Sequence, residues 1–238
     1  GGDYADLYFE HTFSHGVSLM DGKVNNCDAN IDFGMGVRVL SGDQTGYAYV
    51  EGVSMEEMLR AAQTAARIAS SGKSVKPVGF KENVLKNNRY SVVTPWEEVS
   101  LKAKIPYLQK LNDKIFALDA RVRKVQARLN DATTHVLFCN SEGVSYYDYR
   151  PMVSYSTVCI MEESGKMENN FASRSYRKGF EFMTDDIVDI LAHEVVEKTA
   201  LLFKAVKPKG GEMPVVMGAG GSGILLHEAI GHAFEADF

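Results

Sequence analysis

From Leu7 to Val50 the apolar and polar positions follow the two-residue period of strands. Between Asp32 and Leu40, Phe33, Met35, Val37 and Val39 fall on one face and Arg38 on the other, the repeat of a half-buried strand. Leu7-Tyr8-Phe9 lies in an aromatic, apolar run, and Asp21-Gly22 breaks the stretch from Val17 to Val24. Asp-Gly suits a two-residue hairpin loop, because both loop positions need positive φ. Gly42-Asp43 then turns the chain into Tyr47-Ala48-Tyr49-Val50.

The period changes at Ser54. Ser54 with Glu57 forms a capping box, and Met58, Ala61, Ala62, Ala65, Ala66 and Ile68 follow at helical spacing. Small side chains permit close approach, so this face is expected against a sheet, with Gly72 ending the helix. Residues 72–93 show no period. A second capping box opens at Thr94, with Pro95 at the first helical position and Glu97 three after the cap. Pro106 predicts a break near Ile105 and a new helix to about Leu118, since the residue before proline avoids the helical region.

From Val122 to Phe182 the pattern is again that of strands, with turns at Asn140-Ser141-Glu142-Gly143 and Ser164-Gly165. Short successive connections imply an antiparallel meander. Thr184 caps a helix expected to reach about Val206, with Ile187, Ile190, Leu191, Val195, Ala200, Leu202 and Phe203 on a broad apolar face. Pro208 and Gly210-Gly211 mark the best boundary. Met213 to Met217 then reads as a short strand, Gly218-Ala219-Gly220-Gly221-Ser222-Gly223 as a turn, and Ile224 as a helix start. Grouped strands and grouped helices predict an α+β fold. The expected organisation is a mostly antiparallel sheet flanked by helices over residues 1–207, then the start of a second domain over 208–238.

Composition narrows the function. The 238 residues carry a net charge of -5, which gives no support to nucleic-acid binding. The basic cluster from Arg121 to Arg128 alternates with Val122 and Val125, as the solvated face of a strand would. Cys27, Cys139 and Cys159 form no CxxC pair, so no zinc ribbon is indicated, and their odd count suits a reducing compartment. Cys139 and Cys159 lie in expected strands and read as buried apolar residues. No apolar run is long enough to span a membrane. No signal peptide is visible, although the chain begins Gly1-Gly2-Asp3 without Met. The expected location is the cytoplasm.

The chemistry concentrates in His227-Glu228-Ala229-Ile230-Gly231-His232. Zinc hydrolases need neutral imidazole ligands, an open coordination position and a carboxylate beside it. Two histidines on one helix, with glutamate next to the first, supply most of this set. The usual HExxH spacing puts the histidines about 40° apart around an ideal helix, whereas HExxxH puts them about 140° apart. Convergence on one metal therefore needs a π-bulge, or a helix that ends or kinks near Gly231. The bland alternative is a helix with a buried histidine and a surface glutamate.

Other features compete. Gly218 to Gly223 matches GxGxxG after an expected strand and before a helix, the context of a dinucleotide site. The acidic ribose partner would fall about 20 residues on, at or past the last residue given. A turn freeing space beside a metal, with N–H groups able to meet a substrate carboxylate, is the reading favoured here. His193 and Glu197 share a helix face without a second histidine and read as solvated. His11 and His15 are four apart in a strand, where one could be a core histidine, and His135 stands alone. Glu235 and Asp237 could each be a third ligand or an acceptor for an imidazole N–H.

The run Gly223-Ile224-Leu225-Leu226-His227-Glu228-Ala229-Ile230-Gly231-His232-Ala233-Phe234-Glu235-Ala236-Asp237 resembles the metallopeptidase signature of the TldD/PmbA family, on its TldD branch. Gly36-Val37-Arg38-Val39-Leu40 with Gly46-Tyr47-Ala48 is similar to the family's N-terminal segment, and Lys209-Gly210 before Pro214-Val215-Val216 to its lead-in to the motif. The resemblance implies a zinc-dependent peptidase acting on small or unfolded peptides, in a family also known as modulators of DNA gyrase. It implies Zn2+ on His227 and His232, Glu228 as general base, and a cysteine as third ligand from farther downstream. It also implies a chain about half the family's length, lacking activity alone. The expected partner is a second copy or a PmbA-like subunit. A non-catalytic peptide-binding or regulatory scaffold is the alternative from another class.

Overall fold

The computed structural model describes residues 2–69, 78–82 and 90–235. Gly72, most of the aperiodic stretch and Asp237 lie outside these residues. Seven strands form one sheet in the order β3-β2-β1-β5-β6-β4, with β7 also on β6. They are β1 (Tyr4–Met20), β2 (Lys23–Ser41), β3 (Gln44–Val50), β4 (Lys81–Glu82), β5 (Val122–Asn140), β6 (Val144–Glu163) and β7 (Lys166–Tyr176). Every pairing is antiparallel except the short β4–β6 contact. Helices α1 (Met55–Ile68), α2 (Leu101–Leu118) and α3 (Asp185–Leu202) flank the sheet, and the fold is α+β.

The hairpins close where local chemistry requires. Asp21 has φ 51° and Gly22 φ 77°, and Ser164 and Gly165 repeat the combination at 53° and 82°, the left-handed pair of a two-residue loop. These loops join strands far longer than their apolar runs, and a bulge between Ser18 and Leu19 resets the β1–β2 register. At α1, Ser54 and Glu57 form the expected reciprocal cap.

Two regions of the sequence fold differently from expectation. Thr94 opens only a single 3₁₀ turn, Trp96–Glu98, and α2 starts at Leu101. The capping-box groups are engaged elsewhere: the Thr94 N–H donates to Glu181 Oε2 at 3.1 Å, and Glu97 Oε1 lies 2.7 Å from His135 Nε2. Pro106 sits inside α2 without ending it. Proline leaves the Lys102 carbonyl without its helical donor, but both residues are exposed, so water can meet that carbonyl. Met213 to Met217 is unpaired rather than a strand, and α3 stops at Leu202, short of Val206.

Apolar side chains collect in two clusters. Val17 and Leu19 of β1 join Leu108, Leu111 and Ile115 of α2, Val188, Leu191 and Val195 of α3, and the β5–β6 residues Leu129, Val153 and Tyr155. Met35, Val37 and Val39 of β2 pack on Ala61 and Ala65 of α1. The alanines let α1 approach so closely that a Cβ on Gly46 of β3 would overlap the Ala65 carbonyl. Each fully buried Leu or Val contributes roughly 1.5–3 kcal/mol of burial energy. Within the first cluster's end of the sheet, fully buried Lys104 pairs with Asp131 at 2.5 Å, and His15 Nδ1 approaches the other Asp131 oxygen at 3.0 Å.

Contacts divide the chain into two compact units, Gly1–Lys204 and Ala205–Phe238. The sheet and α1–α3 make up the first. The second holds the remaining helix, α4 (Ser222–Ile230).

Candidate metal centre

The glycine-rich turn delivers α4. Gly220 has φ +126°, a conformation that favours glycine. The Gly223 N–H donates to the Gly220 carbonyl at 2.9 Å, the Ile224 N–H to that of Gly221 at 3.2 Å, and the Ser222 hydroxyl to that of Gly218. The turn thereby winds straight into the helix carrying His227 and Glu228.

The helix ends before His232. Ile230 departs from helical dihedrals, with φ −137° and ψ −22°, and a 3₁₀ turn follows over Gly231–Phe234. The irregular residue is Ile230, while Gly231 keeps helical values of −61° and −45°. Gly231 matters for space: a Cβ there would lie 3.0 Å from His227 Nδ1. With the backbone broken at Ile230 and no side chain at Gly231, the His227 and His232 rings lie 4.5 Å apart between centroids, at 59°.

Carboxylates flank the imidazole of His232. Its Nε2 lies 3.4 Å from Glu228 Oε2, and its Nδ1 2.8 Å from Glu235 Oε1. His227, His232 and Glu235 each offer a ligand atom, all within 4.8 Å of one another, and all three residues are exposed. Among the described residues no other group of three histidine, cysteine or carboxylate side chains is so arranged. Imidazole nitrogen with carboxylate oxygen is a donor set that suits zinc. The residues present therefore fit a divalent metal, and the Glu228 carboxylate lies beside His232 Nε2.

The remaining histidines are placed elsewhere. His193 is exposed, while its neighbour Glu194 binds Arg174 and Lys198. His11 packs on Phe13 and Phe33. Cys139 and Cys159 are buried thiols, and burial pushes that of Cys159 up to about 11. Sequence reasoning missed the network around His135, which joins Glu97 to the Tyr147 hydroxyl, 2.5 Å from Nδ1. Burial, then the charges of Glu97 and Asp148, pushes the Tyr147 phenol up, so it keeps its proton. These groups come from different strands and a 3₁₀ turn, and only the cross-strand register brings them together.

Comparison with known proteins bears on both units. The PmbA/TldA metallopeptidase domain 1 matches residues 5–69, and the PmbA/TldA metallopeptidase central domain matches residues 94–203. A metalloprotease TldD homolog of Haemophilus influenzae is 36% identical over 99% of this chain and 50% of its own length. A zinc metalloprotease TldD homolog of Saccharolobus solfataricus is 23% identical over 100% of this chain and 51% of its own length. The chain thus spans about half the length of these relatives. Among solved structures, TldE from Thermococcus kodakarensis superposes with a TM-score of 0.62 at 16% identity, covering 84% of this chain and 44% of that one. A Thermotoga maritima protein described as a candidate modulator of a DNA gyrase gives 0.69 at 16% identity, over 87% of this chain and 46% of its own. At these identities the two structures speak for the fold alone. The two family matches and the near-complete coverage by TldD homologues show that the chain belongs to the PmbA/TldD metallopeptidase family.

Proposed function

We propose that the full-length protein is a zinc-dependent peptidase acting on small or unfolded peptides, with His227 and His232 as ligands and Glu228 as general base. The observation that carries this reading is the convergence of the two imidazoles across a helix break, at 4.5 Å, with the Glu228 carboxylate 3.4 Å from His232 Nε2. Zinc held there would supply Lewis acidity toward a peptide carbonyl and acidify a water molecule. His227 and His232 present their ring nitrogens from the end of α4 and the turn after it. The Glu228 carboxylate is exposed, so it can take a proton from an attacking water and return it to the leaving amine.

The family resemblance supplies the rest of the reading. A cysteine from farther downstream completes the ligand set, so the 238-residue chain alone holds zinc weakly and lacks activity. Residues 208–238 begin the catalytic domain, and residues 1–207 form the domain before it. The proposed partner is a PmbA-like subunit, with a homodimer as the other arrangement. No nucleic-acid or membrane contact enters the reading, and no helix among the described residues is long and apolar enough to cross a membrane. The proposed location is the cytoplasm.

Metal content of the full-length protein tests the proposal. Stoichiometric zinc, lost in both His227→Ala and His232→Ala, is the expected result. Unchanged zinc in either variant would remove that histidine from the site. A protein that binds peptides without zinc would be a scaffold instead.

A further inference from the structure

We infer that Glu235 is the positioning residue of His232, fixing its tautomer and ring orientation so that Nε2 is the nitrogen left to bind metal. The inference rests on the zinc reading above and adds a residue that the motif itself does not contain. Glu235 Oε1 lies 2.8 Å from His232 Nδ1. A carboxylate oxygen accepts and cannot donate, so the shared proton belongs to Nδ1. A neutral imidazole protonated at Nδ1 carries its lone pair on Nε2. That nitrogen is the one 3.4 Å from Glu228 Oε2. The metal-facing atom of His232 and the base carboxylate are therefore on the same side of the ring, with Glu235 on the other.

Local backbone explains why this carboxylate can reach. Glu235 directly follows the 3₁₀ turn Gly231–Phe234, and its N–H donates to the His232 carbonyl at 3.2 Å. A separation of three residues in a 3₁₀ turn stacks side chains on one face, which sets Glu235 over His232. The same break at Ile230 that brings His232 to His227 thus also brings Glu235 to His232. Glu235 could in principle ligate the metal itself, since its oxygen is within 4.8 Å of both imidazoles. The short bond to Nδ1 favours the outer position, and orienting carboxylates of this kind are a recurrent support for zinc-bound histidines.

Glutamine separates the two roles. Its side-chain oxygen still accepts from Nδ1–H but lacks the charge of a zinc ligand. In the full-length protein, zinc affinity is measured by competition with a chromogenic chelator, for wild type, Glu235→Gln, Glu235→Ala and His232→Ala. The His232 tautomer is read from its ¹⁵N shifts in metal-free protein. Glu235→Ala is expected to weaken zinc about 10- to 100-fold, the usual cost of losing such a partner. Glu235→Gln is expected to stay within about threefold of wild type, for the same reason. The Nδ1–H tautomer should dominate in wild type and Glu235→Gln and mix with the other in Glu235→Ala. Affinity unchanged in Glu235→Ala, or lost equally in Glu235→Gln, would overturn the assignment. If wild type takes up no zinc, or His232→Ala keeps full affinity, the zinc reading fails instead. The metal-free tautomer then still decides whether Glu235 sets the ring.

Discussion

Helices α3 and α4 both carry runs of apolar side chains, yet they sit in opposite environments. In α3, Val188, Leu191, Ala192, Val195 and Val196 are buried, and several of its charged groups are paired: Asp189 with Lys114, Glu194 with Arg174 and Lys198. In α4 no residue is buried, although Ile224, Leu225, Leu226 and Ile230 are all apolar. His227 and Glu228 of α4 contact His232 in the turn that follows, and His232 contacts Glu235. The difference separates two uses of polar groups. In α3 such pairs tie the helix to α2 and β7. In α4 His227, Glu228 and the apolar residues alike are exposed.

The comparison breaks most sharply at Lys104. Lys104→Met leaves Asp131 buried without its charged partner, which costs about 3–5 kcal/mol. Urea unfolding should show that loss for the first unit, and a change below 1 kcal/mol would mean that the pair is not buried as described. Next comes a matched pair of leucines. Leu191→Ala should cost about 2–5 kcal/mol in the same assay. Leu226→Ala in α4, at 51% exposure in this chain, should stay within about 0.5 kcal/mol. Equal losses would erase the distinction between the helices. Gly231→Ala should leave folding intact but push the His227 ring aside, weakening zinc in the full-length protein by about tenfold.

The smallest effect is electrostatic. Hydrogen bonds from Lys198 and then Arg174 hold the Glu194 carboxyl below its ordinary range. Such a carboxylate contributes stability above the ordinary carboxylate pKa and loses it as pH falls through the lowered value. Arg174→Met should therefore lower the Tm slightly at neutral pH and leave it unchanged in strong acid, with added salt narrowing the gap. A loss of equal size at both pH values would assign the effect to packing of the arginine stem.

Much of this was legible in the chain itself, because the signals were local. The Asp21-Gly22 turn, the Ser54–Glu57 cap and the alternation from Phe33 to Val39 each depend on residues within one element. Thr94 and Pro106 were misleading for the opposite reason. Glu97 and the Thr94 N–H are claimed by His135 and Glu181, partners that no window of sequence contains, and Pro106 is tolerated because it faces solvent. At the candidate metal centre, HExxxH alone required a departure from the ideal helix. The break at Ile230 rather than at glycine, and the pairing of Glu235 with Nδ1 of His232 in particular, needed coordinates. The Lys104–Asp131–His15 cluster was invisible because its members come from three separate elements.

The most direct test of the account is a paired measurement on full-length Glu228→Gln: zinc content beside peptide hydrolysis. The account predicts zinc equal to wild type, with hydrolysis reduced by about 10²–10⁴-fold, the usual contribution of a general base. Wild-type hydrolysis with zinc retained would contradict it.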